Sequence, residues 1–282
     1  MRNSRIEVRP ISGAGGAEIH GVDISRDLDA ETVAEIRDAL NEHSVVFFRD
    51  QTLDVAQHKA FARRFGKIFI HPNFNGMTED PEVVMVRREP GDTSYVGESW
   101  HTDTTMCAEP PMGAILYGIE VPPYGGDTLF ANQMAAYEAL SDGMKKMLAG
   151  LNAVHSDINQ AGPQAGKNKG RSTKQRDDSA WRETRSLHPV VRSHPETGRK
   201  ILFVNAGYTI GLEGMTEAES RPLLDFLFEH GNRPEFTFRF RWQKGSIAFW
   251  DNRSTKHLAL GDTGPFRREM RRIQICGDRP FR

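Results

Sequence analysis

The 282 residues predict an α+β fold that is mainly β, a jelly roll with helices packed outside, and three observations carry that prediction. Short runs rich in β-branched and aromatic residues recur along the chain and dominate its second half. Strands and helices do not alternate regularly, and no Gly-rich loop joins a strand to a helix, so a doubly wound nucleotide fold is disfavoured. Four amphipathic segments carry helix start or stop signals and lie between the strand-like runs.

In chain order, Asp29 opens a helix that turns Val33, Ile36 and Leu40 inward. "SVVFFR" from Ser44 reads as a strand. Asp54 and Gln57 form a capping box for a second helix, with Val55, Phe61, Ala62 and Phe65 on its apolar face and Gly66 as a left-handed cap. "GAILYGIEV" from Gly113 is the next strand. A third helix is expected from Met134 to Leu148, weakened by Gly143. Gly162 to Asp178 is charged and nearly devoid of apolar residues, which predicts a mobile loop and a candidate lid. "HPVVRSH" and "ILFVN" follow as strands joined by the hairpin-like turn "HPETGRK". Thr216 and Glu219 cap the clearest helix, with Leu223, Leu224, Leu227 and Phe228 facing the core and Gly231 ending it. "FTFRFRW" and "SIAFW", with the hairpin-like turn "RWQKGS" between them, and finally "RRIQI" complete the strands.

One domain spanning 1–282 suits this length. A formal net charge of -1 supplies no global field for nucleic acid or anionic membrane, so neither is an expected partner. The opening "MRNSRIEVRP" has no apolar run of a signal peptide and no segment is long and apolar enough to span a bilayer, which makes the cytoplasm the expected location. Only Cys107 and Cys276 are present, so a bound metal would be held by histidines and carboxylates.

"SWHTDTT" offers such a pair in His101 and Asp103. In extended chain, residues two apart project from one side, as a two-histidine, one-carboxylate iron site requires. The bare pattern is weak, since the His and Asp counts predict about 0.6 matches by chance. His155 with Asp157 and His194 with Glu196 are rivals, the first entering a polar loop and the second lying in a turn. Near the C-terminus, His257 precedes a strand on which Arg268, Met270 and Arg272 share a face. Two inward guanidinium groups are costly unless anions meet them, whereas Arg267 and Arg271 are expected to pair with acidic side chains.

"WHTD", "PPMGAIL", "GGDTLF", "AYEALS", "LHPVVRSHP", "LFVN", "FLFEH", "PEFTFRFRW", "FWDNRSTKH" and "RREMRRIQI", in this order, resemble the taurine dioxygenase and aryloxyalkanoate-herbicide dioxygenase family of Fe(II)/2-oxoglutarate enzymes. The similarity runs from "GAEIHGVDIS" to "GDRPF". It implies a double-stranded β-helix, with Fe(II), 2-oxoglutarate and O2 as cofactor and co-substrates. It assigns iron ligation to His101, Asp103 and His257, and the distal carboxylate of 2-oxoglutarate to Arg268 and Thr128. It gives the substrate's anionic group to Arg272, lines that site with His71, and puts Tyr208 and Trp250 around the pocket. The implied reaction hydroxylates a small anionic molecule, releases succinate and CO2, and often breaks a C–S or C–O bond afterwards; a homo-oligomer is compatible with the family.

Taurine-using members carry a tyrosine and an asparagine at the places matched here by Phe74 and Gly97, which implies a substrate with a less polar body than taurine. An alkyl sulfonate, alkyl sulfate ester or aryloxyalkanoate meets that description. Two alternatives remain: a zinc hydrolase on the same three ligands, which has no use for Arg268, and a non-catalytic jelly-roll binding protein, which has no use for the triad.

Overall fold

Val45 and Phe47 turn to one side of strand β3 (Val45–Phe48), Val46 and Phe48 turn to the other, and all four are buried. A strand buried on both faces needs a layer on each side. The same alternation runs through β6 (Gly113–Glu120), β14 (Ile247–Asp251) and β16 (Arg268–Ile275). On one side, Val45, Phe47, Leu116, Trp250 and Met270 meet Phe130, Phe238 and Phe240. On the other, Val46, Phe48, Ile115, Phe249 and Ile273 meet the helical residues Ile36, Leu40, Phe61 and Ala62.

The computed structural model describes residues 5–166, 168–176 and 181–282. Among them, the larger sheet has the order β1 (Glu7–Pro10), β2 (Ala17–His20), β3, β14, β6, β16 and β4 (Ile68–Phe69), with β5 (Val84–Arg88) also paired to β16. The smaller facing sheet is β13 (Thr237–Phe240), β7 (Thr128–Asn132) and β15 (Thr255–Ala259). Together they make the expected jelly roll. Phe47 and Phe240 stack across the interface with ring centres 4.0 Å apart. "RWQKGS" is therefore a crossover between sheets, since β13 pairs with β7 and β14 with β3 and β6. "HPETGRK" does close a hairpin, between β10 (Val191–Ser193) and β11 (Lys200–Leu202). A third sheet joins β12 (Thr209–Leu212), β8 (Asn152–Ser156) and β9 (Arg185–Pro189), so "HPVVRSH" divides between two sheets at Val190.

Helices α1 (Ala30–His43), α2 (Val55–Arg63) and α6 (Glu217–His230) start at Asp29, Asp54 and Thr216 as expected, the last two with complete capping boxes. Gly231 ends α6 as expected, whereas Gly66 is not left-handed; the left-handed cap is Ser44, after α1. Gly66 serves close approach instead, because a Cβ there would lie 2.9 Å from Ile275 Cγ2. The expected third helix is two, α3 (Gln133–Glu138) and α4 (Asp142–Leu148), because Asn132 caps the first and Ser141 accepts from Met144 N to start the second. A single turn, α5 (Ile158–Ala161), follows β8. No described helix is long and apolar enough to cross a membrane.

The faces of β16 separate its arginines. Arg271 shares the helix side with Ile273 and Ile275, and donates to Leu53 O and Asp54 O at 2.7 and 2.8 Å and to His58 Nδ1 at 3.2 Å. The expected acidic partner is thus replaced by backbone carbonyls just before α2. Arg267, just before the strand, does pair with acids, reaching Glu89, Glu120 and Glu269.

Candidate metal centre

His101 and His257 are brought face to face by the backbone. His101 N donates to His257 O at 3.1 Å and His257 N to His101 O at 2.8 Å, a reciprocal bridge that extends the pairing of β15. Their rings lie 4.1 Å apart. Asp103 completes the group: its Oδ1 is 3.4 Å from His101 Nε2 and 3.8 Å from His257 Nε2, and one ligand atom from each residue lies within 4.8 Å of the other two. Such a cluster presents three donors to one face of a metal ion.

Each of the three side chains is held by its surroundings. His101 Nδ1 donates to Ser99 O at 2.8 Å, which turns the Nε2 lone pair toward Asp103. Two electron-rich groups facing each other in a buried site favour a shared cation. Asp103 begins a turn rather than continuing a strand, since Thr104 has φ +55. That conformation is costly for a β-branched residue, and it stands beside a ligand. Asn252 brackets Asp103, accepting from its N–H at 2.8 Å and donating to its carbonyl at 3.0 Å. Gln274 Nε2 donates to Asp103 Oδ2 at 3.1 Å. Burial alone would raise the Asp103 carboxyl, but the Arg272 guanidinium holds it well below the usual carboxylate range. Burial, reinforced by His101, lowers His257 to about 3, so its ring is neutral and able to ligate.

Two guanidinium groups approach the inner face from β16. Arg272 Nη1 is 3.6 Å from Asp103 Oδ1, while its buried Nε and Nη2 have no partner. Arg268 Nε and Nη2 are also buried and unpartnered, and burial lowers Arg268 only to about 10, leaving it a cation at neutral pH. Asp127, the acid that favours its charge, is engaged by Arg239 Nε at 2.6 Å. Arg268 and Thr128 border the same indole: the Arg268 guanidinium lies 5.6 Å from the Trp242 ring, and Trp242 Nε1 donates to Thr128 Oγ1 at 2.9 Å. The Thr128 hydroxyl proton thus has no partner among the described residues. Unpaired guanidinium N–H groups in a buried site suit a carboxylate or sulfonate.

Above the triad, a cavity enclosing about 480 Å³ of space outside protein atoms, its open mouth included, is lined by His71, Phe74, Gly97, Tyr208 and Arg272 along with His101 and Asp103. His71 Nδ1 accepts from Asn73 N at 3.1 Å, and burial, then Arg272, lowers the ring to about 3. It is neutral, with its proton on Nε2. Gly97 has φ +86, a backbone conformation that favours glycine, and it lies beside His101. Trp250 is not at the cavity. It is 2% exposed and packs 4.7 Å from the His257 ring as core. The lining is also more polar than Phe74 and Gly97 suggest, because Tyr95, Glu98, Ser99, Gln160, Arg171 and Gln175 contribute to it. The amide and hydroxyl groups missing at two matched places are supplied by others.

The rival pairs have structural roles. His155 Nδ1 meets Thr105 Oγ1 at 2.9 Å, while Asp157 accepts from Asn73 and Thr184 N. His194 Nε2 contacts Asp251 Oδ2 at 2.9 Å, and Glu196 pairs with Arg253 and Arg37. His194 is 1% exposed, so the histidine of "HPE" is a buried brace, while Pro195 and Glu196 lie in the exposed hairpin turn as expected.

Sequence reasoning missed Asn252, Gln274 and Arg171. Gln274 was findable, since it continues the every-second-residue face of Arg268, Met270 and Arg272. Asn252 carried no periodic signal. Arg171 lay hidden in the charged segment 162–178, of which 167, 177 and 178 fall outside the described residues. The described part is tied down: Gly170 O accepts from Thr93 N and Ser94 N, and Arg176 N donates to Asn73 O.

A model of the taurine catabolism dioxygenase TauD, TfdA family matches residues 7–274. An α-ketoglutarate-dependent sulfate ester dioxygenase of Pseudomonas putida is 37% identical over 279 residues, covering 98% of this chain and 91% of that protein. An alkylsulfatase of Acinetobacter baylyi is 36% identical over 276 residues, covering 97% and 86%. The crystal structure of a putative α-ketoglutarate-dependent taurine dioxygenase from Burkholderia xenovorans superposes with a TM-score of 0.84 at 40% identity, covering 98% of this chain and 94% of that one.

Proposed function

Because the chain belongs to the taurine catabolism dioxygenase TauD, TfdA family, we propose that it hydroxylates a small organic anion: an alkyl sulfonate, an alkyl sulfate ester or an aryloxyalkanoate. It is a non-haem Fe(II)- and 2-oxoglutarate-dependent dioxygenase. One observation carries the assignment of roles: a His-Asp-His cluster stands beside two buried guanidinium groups with unpaired N–H donors.

His101, Asp103 and His257 are the metal ligands in this reading, with the His257 ring neutral and the carboxylate ionised. Arg268, with the free proton of Thr128, orients the distal carboxylate of 2-oxoglutarate. Arg272 and the Nε2–H of His71 receive the anionic end of the substrate, so that burial around them excludes water and holds one carbon toward the metal. When bound, Fe(II) and 2-oxoglutarate supply O2 activation, decarboxylation to succinate and CO2, and hydroxylation of a substrate carbon. If that carbon bears oxygen or sulfur, the hydroxylated product collapses to a carbonyl compound and a released phenol, sulfate or sulfite. A zinc hydrolase would leave Arg268 without a purpose.

A single dioxygenase domain over 1–282 is supported by the span of the family match. A cytoplasmic enzyme without nucleic acid or membrane partners accords with the net charge of -1; a homo-oligomer is testable by sedimentation. Anaerobic protein loaded with Fe(II) should develop a visible charge-transfer band on adding 2-oxoglutarate. No band, with metal binding intact, overturns the reading. A panel of sulfonates, sulfate esters and aryloxyalkanoates, scored by substrate-dependent succinate, then identifies the class.

A further inference from the structure

The segment between α5 and β9 brings another cation into the cavity. Arg171 is 6% exposed, and its Nε is buried without a partner. Nη2 has a single acceptor, Asn168 Oδ1, at 3.3 Å. No carboxylate among the described residues lies within ion-pair distance. Glu98, also at the cavity, is near enough to favour the charge of Arg171. Arg171 and Arg272 flank one aromatic ring, their guanidinium carbons 5.9 and 5.8 Å from the centre of Phe74.

This placement is built. Thr173 Oγ1 accepts from Arg87 N at 2.6 Å and donates to Arg87 O at 2.9 Å, and Ser172 is bonded to Asp92 through both its N–H and its hydroxyl. Gln175 forms a bridge with Phe74. A buried, unpaired guanidinium costs several kcal/mol unless an anion meets it. Arg272 is committed to one anionic group under the reading above, on which this inference rests. Beside Val96 and Glu98, the remaining wall carries the polar side chains of Tyr95, Ser99, Gln160 and Gln175, which can solvate a charged tail.

We propose that Arg171 receives a second anionic group, so that the preferred substrate is a dianion with a sulfonate or sulfate ester at one end and a carboxylate at the other. The bidentate fit of guanidinium to carboxylate supplies the selectivity. Propane-1-sulfonate and 3-sulfopropanoate, equal in length, are the probes, and calorimetry on the anaerobic Fe(II)/2-oxoglutarate protein gives both affinities.

The wild type is expected to prefer 3-sulfopropanoate by at least about tenfold. R171Q should reduce the preference to about twofold or less, and R171K should keep part of it, with melting curves showing that both variants fold. A wild type that binds the probes equally, prefers the monoanion or binds neither overturns the proposal, as does an R171Q protein that keeps the full preference. Succinate formation separates this result from the dioxygenase reading. Turnover of propane-1-sulfonate without discrimination leaves the enzyme assignment standing and removes the dianion. Selective binding lost in R171Q, with no charge-transfer band, does the reverse.

Discussion

Arg268 and Arg272 are four residues apart on one strand face and nearly equal in burial, yet their neighbours differ. Arg272 leans on Asp103 and, with His71, lines the cavity, while Arg268 sits against Trp242. Arg272→Ala should therefore raise KM for the organic substrate by about a hundredfold or more, the loss of a charge-assisted contact of ~3 kcal/mol, while changing KM for 2-oxoglutarate by less than about threefold. Arg268→Ala should show the reverse, and equal effects on both constants would refute the division. The histidines separate in the same way. His101→Ala should remove the 2-oxoglutarate charge-transfer band with little change in Tm. His155→Ala should keep the band and lower stability by ~2–4 kcal/mol, because it empties a fully buried place bonded to Thr105.

At the level of elements, the turn before β7 shapes the pocket of Arg268. Gly126 has φ +67, and a Cβ there would come 3.1 Å from Arg268 Cδ. Gly126→Ala should weaken 2-oxoglutarate binding about tenfold by displacing the guanidinium, with iron affinity unchanged; anaerobic titration of the band measures both. Elements whose residues obey a local rule were legible in sequence. The capping boxes at Asp54 and Thr216 were found because the signal is four residues long, and the inward face of β16 because it repeats every second residue. What escaped depends on chain distant in sequence. Ser141 starts a new helix where apolar spacing suggests a continuous one, "RWQKGS" looks like a hairpin until its flanking strands join different sheets, and Asn252 reaches Asp103 across 149 residues. Family motifs singled out His101, Asp103 and His257, which the bare HxD pattern left open and which cluster in the structure, and they said nothing of Arg171.

For the molecule as a whole, one ionisable group at odds with its surroundings is Lys256, one position before His257 but on the opposite face of β15. It is 1% exposed, its Nζ donates to Asn232 Oδ1 at 3.3 Å near the end of α6, and burial lowers its pKa from 10.5 to about 7. The unfolded chain holds this proton up to a higher pH than the folded one. Between about pH 7 and 10.5, Lys256 therefore adds stability as pH rises, by at most ~1.4 kcal/mol per pH unit, and that contribution is lost as pH falls through 7. Lys256→Met should remove this component, so that the wild-type and variant stability curves converge at high pH and separate, with the variant more stable, toward neutrality; parallel curves from urea titration would refute it. The two-sided burial of β16 has a consequence for how such a protein diversifies. Its even positions hold the inward Arg268, Arg272 and Gln274, and its odd positions bind the helical layer through Arg271 and Ile273, so inserting or deleting one residue would exchange the two sets. Within this strand, specificity can therefore change by substitution but not by a one-residue change of length, which would carry Arg268 and Arg272 out of the site.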